Sequence, residues 1–212
     1  MATFEAWVLR LHIAAGVAAL VAGTGALATR KGGRRHRRAG KGFLASMAVT
    51  VSTVVPLAAL DPTTFRILLT LVAVFSGYLA FSGYRVLSRG RPAGDARPVD
   101  WVAACSTLIA CGLLGGWGLV WLVDGRSFGV VMAVFAAIGI AFAGLDVRTF
   151  RRAAPDDRIV SHLQRMLGAF IATVSAVSAV NLTPMLGVAA WLWPTAAGVP
   201  VIYYLSARYS GT

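Results

Sequence analysis

Apolar runs follow one another along almost the whole chain, and each is long enough to cross a lipid bilayer as a helix. A spanning helix needs about 20 mostly apolar residues, and seven such runs are present. Only 13% of the residues are charged, whereas a soluble domain carries about 25%. Period-two alternation with regular turn signals is absent from the sequence, which argues against an outer-membrane barrel. The sequence therefore predicts an all-α integral membrane bundle of seven transmembrane helices, at about 6–29, 42–60, 65–86, 99–123, 127–147, 159–182 and 185–207.

Only short connectors separate the apolar runs, so we expect a single transmembrane helical domain over residues 1–212 and no soluble domain. The first run contains Arg10 and His12 and leads directly into a basic connector, which is typical of a membrane anchor rather than a cleaved signal peptide. Small residues let helix backbones approach closely in lipid. We expect this packing role for the four glycines of the fourth run, Gly112, Gly115, Gly116 and Gly118.

Positive charges gather on alternate connectors and predict the orientation of the chain. The formal net charge is +12, which would suggest nucleic-acid binding in a soluble protein but is the expected excess of cytoplasmic Lys and Arg in a membrane protein. We therefore expect the N-terminus outside, the C-terminus in the cytoplasm, the plasma (inner) membrane as the location, and no nucleic-acid partner. Four basic residues of the first connector are expected to bind anionic lipid or an acidic partner: Arg34, Arg35, Arg37 and Arg38.

Charged residues at bilayer depth are expensive and are candidates for function. All eight acidic residues lie at predicted helix ends or in connectors, which argues against an ion pump with a central carboxylate. His162 and Arg165 share one face of the sixth helix through their i, i+3 spacing. Arg165 needs a partner if that face looks into the bundle, and Asp146 at the inner end of the fifth helix is the expected one. The pair has two interpretations, a structural ion pair and part of a functional polar site.

The chain has three histidines, and their depths limit which of them can share a ligand. His12 is predicted in the outer half of the membrane, about 20 Å in depth from His162, so these two cannot hold one metal ion. His36 and His162 are both predicted near the cytoplasmic side, where they could hold the iron of haem b or form part of a metal site. The alternative is a solvated loop histidine and a hydrogen-bonded histidine at a helix start. Asn181 is predicted at about the depth of His12, and the two form a candidate outer pair.

Several familiar chemistries are excluded by residues that the sequence lacks. A retinal Schiff base needs a lysine in the last helix, but the only lysines are Lys31 and Lys41. A di-haem cytochrome with four histidine ligands needs more histidines than the chain has. The sequence contains no phosphate-binding G-x-x-x-x-G-K-[ST] loop and no G-x-S-x-G nucleophile elbow. It also lacks the paired H-x-x-x-H of seven-helix zinc hydrolases.

Three segments stand out for their order and spacing. They are His-Ile-Ala-Ala-Gly at residues 12–16, the pattern K-G-x-x-x-H-R-x-x-G at residues 31–40, and His-Leu-Gln-Arg-Met at residues 162–166. Together they resemble a family of small bacterial multi-pass membrane proteins that share a domain of unknown function, and the second segment is the most specific of the three. The resemblance covers helices one to three and helix six. It implies a membrane location and a helical bundle, and it carries no reaction, substrate or cofactor.

Four functions remain open at this point, and whether the protein is an enzyme stays undecided. The leading hypothesis is a small-solute or proton-linked carrier or channel, because histidines can relay protons near neutral pH. The second is an accessory or assembly membrane subunit that binds a membrane protein partner or a second copy of itself. The third is a mono-haem b-type redox protein on His36 and His162. The fourth is a membrane enzyme in which Arg37, Arg38 and Arg165 hold a lipid phosphate.

Overall fold

The computed structural model describes residues 2–88, 96–152 and 157–210. Within these residues the regular elements are α-helices, and no strand occurs. The prediction of an all-α protein is therefore confirmed. The helices are α1 (Ala2–Ala28), α2 (Arg34–Leu60), α3 (Thr64–Ser88), α4 (Pro98–Val123), α5 (Gly129–Arg152), α6 (Arg158–Leu186) and α7 (Ala189–Tyr209).

Six of these helices, α1 to α6, are long and apolar enough to cross a membrane. Together they indicate a multi-pass membrane protein. The last helix, α7, has 21 residues and contains Pro194 and Pro200, and it is not among the six. Its two prolines and the polar residues near its C-terminal end dilute its apolar character. The predicted seventh crossing and the predicted orientation therefore stay predictions.

The helices differ most from their predicted bounds at the start of α2 and at the end of α5, and by up to four residues elsewhere. α2 begins at Arg34, whereas the predicted start near residue 42 was wrong by about two turns. α5 continues to Arg152, beyond the predicted end at residue 147. Both extensions are rich in arginine, which is a good helix former. Hydropathy marks only the part of a helix that suits the bilayer, so it does not detect these polar extensions.

The chain divides into two compact units, one that ends at Ala73 and one that begins at Val74, within α3. In the first unit, α1 packs against α2. In the second unit, α4 packs against α5 and α6 packs against α7. The single domain expected over the whole chain stays a prediction.

The helix pair α4–α5 depends on glycines at its contact. A Cβ atom on Gly118 would lie 2.8 Å from Met132 Cβ, and one on Gly129 would lie 2.5 Å from the carbonyl oxygen of Gly118. A Cβ atom on Gly115 would approach Ala136 Cβ to 3.2 Å. Small residues allow this close approach where no hydrophobic force pulls the helices together. The expected packing role holds for Gly115 and Gly118 but not for Gly112 and Gly116, next to which a Cβ atom would meet nothing within 4 Å.

Candidate functional site

Asp146 is a fully buried carboxylate on α5, with an exposed fraction of 0%. The sequence analysis put it at the end of the helix, but α5 continues six residues beyond it to Arg152. The carboxylate therefore lies about 9 Å inside the helix end, at 1.5 Å per residue. A buried charge of this kind is tolerated only when it is paired and hydrogen-bonded. Its partners come from α3 and α6.

Arg165 on α6 supplies the opposite charge, as the sequence analysis predicted. Its Nη2 atom donates to Asp146 Oδ1 at 2.7 Å, and the exposed fractions of the two side chains are 5% and 0%. Nη1 of Arg165 donates to the carbonyl oxygen of Ser161 at 3.2 Å, one turn back on the same helix. The guanidinium also lies over the ring of Phe142, with its central carbon 5.7 Å from the ring centroid.

Tyr78 on α3 is a second hydrogen-bond partner of the carboxylate. Its phenol donates a short hydrogen bond to Asp146 Oδ2, so each carboxylate oxygen accepts from a different helix. Tyr78 is itself buried, in an apolar cluster with Ala104, Ala143 and Phe150. The sequence analysis missed this residue, because a tyrosine in an apolar helix carries no sign of the face on which it lies.

His162 lies one helical turn before Arg165 and connects α6 to α3. Its Nδ1 atom is 2.8 Å from the carbonyl oxygen of Gly83, and since a carbonyl only accepts, Nδ1 carries the proton and donates. Gly83 lets the two helices meet here, because a Cβ atom on it would lie 3.0 Å from Arg165 Cβ and 3.1 Å from Met166 Sδ. The histidine and the ion pair therefore belong to one polar site, which we call the α3–α5–α6 site: Tyr78, Asp146, Ser161, His162 and Arg165.

One donor of the α3–α5–α6 site is left without a partner among the described residues. It is Nε of Arg165; the other buried side-chain atom without a hydrogen-bond partner is Ser175 Oγ. A buried donor without a partner costs about 1–3 kcal/mol. The site therefore contains a charged pair and one donor of Arg165 from which no described residue accepts.

A second buried carboxylate, Asp100, lies near the start of α4 and has a more ordinary explanation. Arg85 donates two hydrogen bonds to this carboxylate, from Nε to Oδ1 at 2.9 Å and from Nη2 to Oδ2 at 2.8 Å. Oδ2 also accepts from the backbone N–H of Arg97 at 2.9 Å. This is the third residue of α4 reaching back to the N-cap backbone, which satisfies a donor at the start of the helix. Asp100 thus fixes the start of α4.

His36 and His12 lie in the first unit, and each bonds to a neighbouring helix there. Nδ1 of His36 donates to the carbonyl oxygen of Ala26 at 3.0 Å, in the last turn of α1, where a carbonyl has no partner within the helix. Nδ1 of His12 lies 2.9 Å from Thr53 Oγ1 and 3.2 Å from the carbonyl oxygen of Thr50. Both histidines therefore connect α1 to α2. The alternative of a solvated loop histidine does not describe His36, since it lies in the first turn of α2.

The remaining predicted site residues stay apart from this geometry. Asn181 is exposed on α6 and donates to the carbonyl oxygen of Val177 within its own helix, at 2.7 Å. Its pairing with His12 stays a prediction, because the two lie in different units. The same holds for a metal or haem site on His36 and His162. The described part of the chain contains no group of three or more His, Cys, Asp or Glu residues that could hold a metal ion.

Comparison with models of protein families, with curated proteins and with solved structures finds no match for this chain. The resemblance to a family of small bacterial membrane proteins therefore stays a prediction. The function has to be inferred from the residues themselves.

Proposed function

We propose that this protein is a proton-linked carrier or channel for a small solute, and that Asp146 is the group that binds the proton. The observation that carries the proposal is the Asp146–Arg165 pair, buried well inside α5 and α6 and completed by Tyr78. Ionisable residues within membrane helices are rare and mark proton relays and ion pathways. Asp146 is fully buried and lies six residues before the end of α5, although the arginine-rich turns that follow it do not suit the lipid core.

The pair offers a way to couple a proton to a movement. When Asp146 is ionised, its charge balances the buried guanidinium of Arg165. A proton on Asp146 removes that balance and leaves an unpaired buried charge, at a cost of about 3–5 kcal/mol. The chain can relieve this cost by separating α5 from α6 or by giving Arg165 a new anionic partner. Proton binding and the packing of these helices are therefore linked.

The proposal includes seven membrane crossings in the plasma membrane, with the N-terminus outside. The 21 residues of α7 make about 31 Å of helix, which matches a hydrocarbon core of about 30 Å. The basic residues on alternate connectors support this orientation. In this arrangement the α3–α5–α6 site lies nearer the cytoplasmic side of the membrane.

Proton movement in liposomes tests the proposal. The protein is reconstituted with pyranine inside the vesicles, a pH gradient is imposed, and small solutes are added in turn: amino acids, sugars, organic acids and inorganic ions. We expect one solute class to move protons with the wild-type protein. Asp146→Asn should abolish this movement, whereas Asp124→Asn, which removes an exposed connector carboxylate, should leave it unchanged. A wild-type protein that moves no protons under any of these conditions contradicts the proposal.

Loss of activity in Asp146→Asn alone has two explanations, because the substitution also leaves Arg165 unpaired. We expect this variant to lose about 3–5 kcal/mol of unfolding free energy. The double variant Asp146→Asn/Arg165→Gln removes both charges and should recover most of that loss. If the pair is purely structural, the double variant also recovers proton movement. If Asp146 binds the proton, stability returns and proton movement does not.

Two alternatives stay as secondary proposals. A mono-haem redox protein on His36 and His162 is the first, and it rests on the sequence. The visible absorption spectrum of the purified protein, oxidised and then reduced, distinguishes it from a carrier. An accessory membrane subunit needs only the bundle itself, and co-purification with a membrane protein partner would support it.

A further inference from the structure

The first two turns of α2 carry a dense cationic surface. Its basic residues are all exposed, and no ion pair between described residues involves them. They also lie at the N-terminal end of a helix, where positive charge opposes the helix dipole. The surface therefore carries an electrostatic cost that a bound anion would remove. Its members are Arg34, Arg35, Arg37, Arg38 and Lys41.

Four of these cations lie on one side of α2. At about 100° per residue, Arg34, Arg37, Arg38 and Lys41 fall within an arc of about 100°. The opposite side of the helix faces α1 and holds His36, which bonds to Ala26 of that helix. Phe43 and Met47, both buried, continue that packed side. The cationic arc therefore points away from α1.

The same side of α2 continues as an exposed apolar stripe. Its next residues are small or short, and each is exposed: Ala45, Ala48, Val49 and Ser52. At about 100° per residue these positions fall within about 60° of Arg34. This side of α2 therefore presents cations first and then short side chains, the order in which a phospholipid presents its charged head and its acyl chain.

The cations of α2 lie at about the depth of a lipid headgroup. Arg34–Lys41 extend α2 by about 12 Å beyond the apolar run that starts near residue 42. The headgroup layer on each side of a bilayer is about 5–8 Å thick. The guanidinium groups of the cationic arc can therefore meet lipid phosphates while the apolar stripe lies against the chains.

We propose that α2 binds an anionic phospholipid, with its phosphate held by Arg34, Arg38 and Lys41 and an acyl chain along Ala45 and Ala48. Arginine suits this role because its planar guanidinium can form two parallel hydrogen bonds to a phosphate. The proposal does not depend on the carrier function or on Asp146.

Native mass spectrometry in mild detergent tests this site with two lipids that share their chains. The probes are palmitoyl-oleoyl phosphatidylglycerol, which is anionic, and palmitoyl-oleoyl phosphatidylcholine, which is neutral overall. We expect the wild-type protein to bind phosphatidylglycerol more tightly, and the preference to fall as salt rises. Arg34→Gln/Arg38→Gln should weaken phosphatidylglycerol binding about twentyfold, since each basic residue near an anionic surface contributes about fivefold.

Arg148→Gln/Arg151→Gln is the matched control, because it removes two exposed cations of α5, outside the cationic surface of α2. This variant should keep phosphatidylglycerol binding within about twofold of wild type, because the proposed contacts remain. Equal weakening in both double variants would mean diffuse attraction and would overturn the site. Equal binding of the two lipids by the wild-type protein would overturn it as well. All these side chains are exposed, so neither variant should change the melting temperature in detergent.

Discussion

At the scale of single residues, two ion pairs of this protein have similar distances but differ in burial. Arg66 lies 2.8 Å from Glu5 with exposed fractions of 29% and 32%, and Arg165 lies 2.7 Å from Asp146 with fractions of 5% and 0%. An exposed pair contributes about 0–1 kcal/mol, whereas losing one partner of a buried pair costs about 3–5 kcal/mol. The two pairs look alike in geometry, yet breaking the buried one is expected to cost more stability.

Tyr78 should contribute to stability through its hydrogen bond to Asp146. We expect Tyr78→Phe to lower the unfolding free energy by about 1–3 kcal/mol, because hydrogen bonds to charged groups are the stronger ones. Tyr84→Phe is the matched control. Tyr78 and Tyr84 each end a Phe-Ser-Gly-Tyr segment of α3, but the side chain of Tyr84 is 43% exposed. Unfolding of both variants by denaturing detergent measures the difference. Equal stability of the two would mean that the phenol of Tyr78 contributes nothing to holding the carboxylate.

The sequence reveals part of this site and hides the rest for a physical reason. Arg165 and Asp146 are predictable partners, because a lone charge at membrane depth has few alternatives. Tyr78 and Gly83 are not predictable in this way, because neither residue is unusual in an apolar helix. Only the packing of α3 against the polar face of α6 identifies them. A single sequence gives the periodicity of each helix but not which two faces meet.

At the scale of helices, hydropathy locates the part of a helix that suits lipid, and it does not locate the ends of the helix. Hydropathy identified the apolar parts of all seven helices but ended α5 too early and began α2 too late. The missed segments are rich in arginine, which is unfavourable in lipid and favourable in a helix. Two functional interpretations depended on those ends, the depth of Asp146 and the place of His36. Hydropathy alone therefore predicts helix ends least well where a polar extension of the helix lies at the membrane surface.

The α4–α5 contact gives a test at this scale with a control two residues away. Gly118→Ala should destabilise the protein by about 1–3 kcal/mol, because the new Cβ would press on Met132 Cβ and on the backbone of α5. Gly116→Ala should be neutral or slightly stabilising, because a Cβ there meets nothing within 4 Å and alanine is the better helix former. Melting temperatures in the same detergent compare the two variants. A loss of stability in Gly116→Ala equal to that in Gly118→Ala would contradict this account of the contact.

At the scale of the whole molecule, the number of membrane crossings decides on which side each connector lies. Six helices meet the length and hydropathy of a spanning segment, and α7 is the helix on which the count depends. If α7 crosses, the connector after α4 and the C-terminal end lie on opposite sides. If α7 does not cross, they lie on the same side. The end of α5 that carries Asp146 lies on the same side in both cases, but the side reached by the C-terminal end changes.

Cysteine labelling in intact cells decides between these arrangements. Cys105 and Cys111 are free, so both are first replaced by alanine, and single cysteines are then introduced as Ser127→Cys, Ser210→Cys and Arg37→Cys. A maleimide that does not cross the membrane should label the cysteine at position 127 and leave those at 210 and 37 unlabelled until the cells are opened, because basic connectors stay in the cytoplasm. Labelling at both 127 and 210 would reduce the protein to six crossings. Labelling at 37 would reverse the orientation and with it the side of the membrane nearer to Asp146.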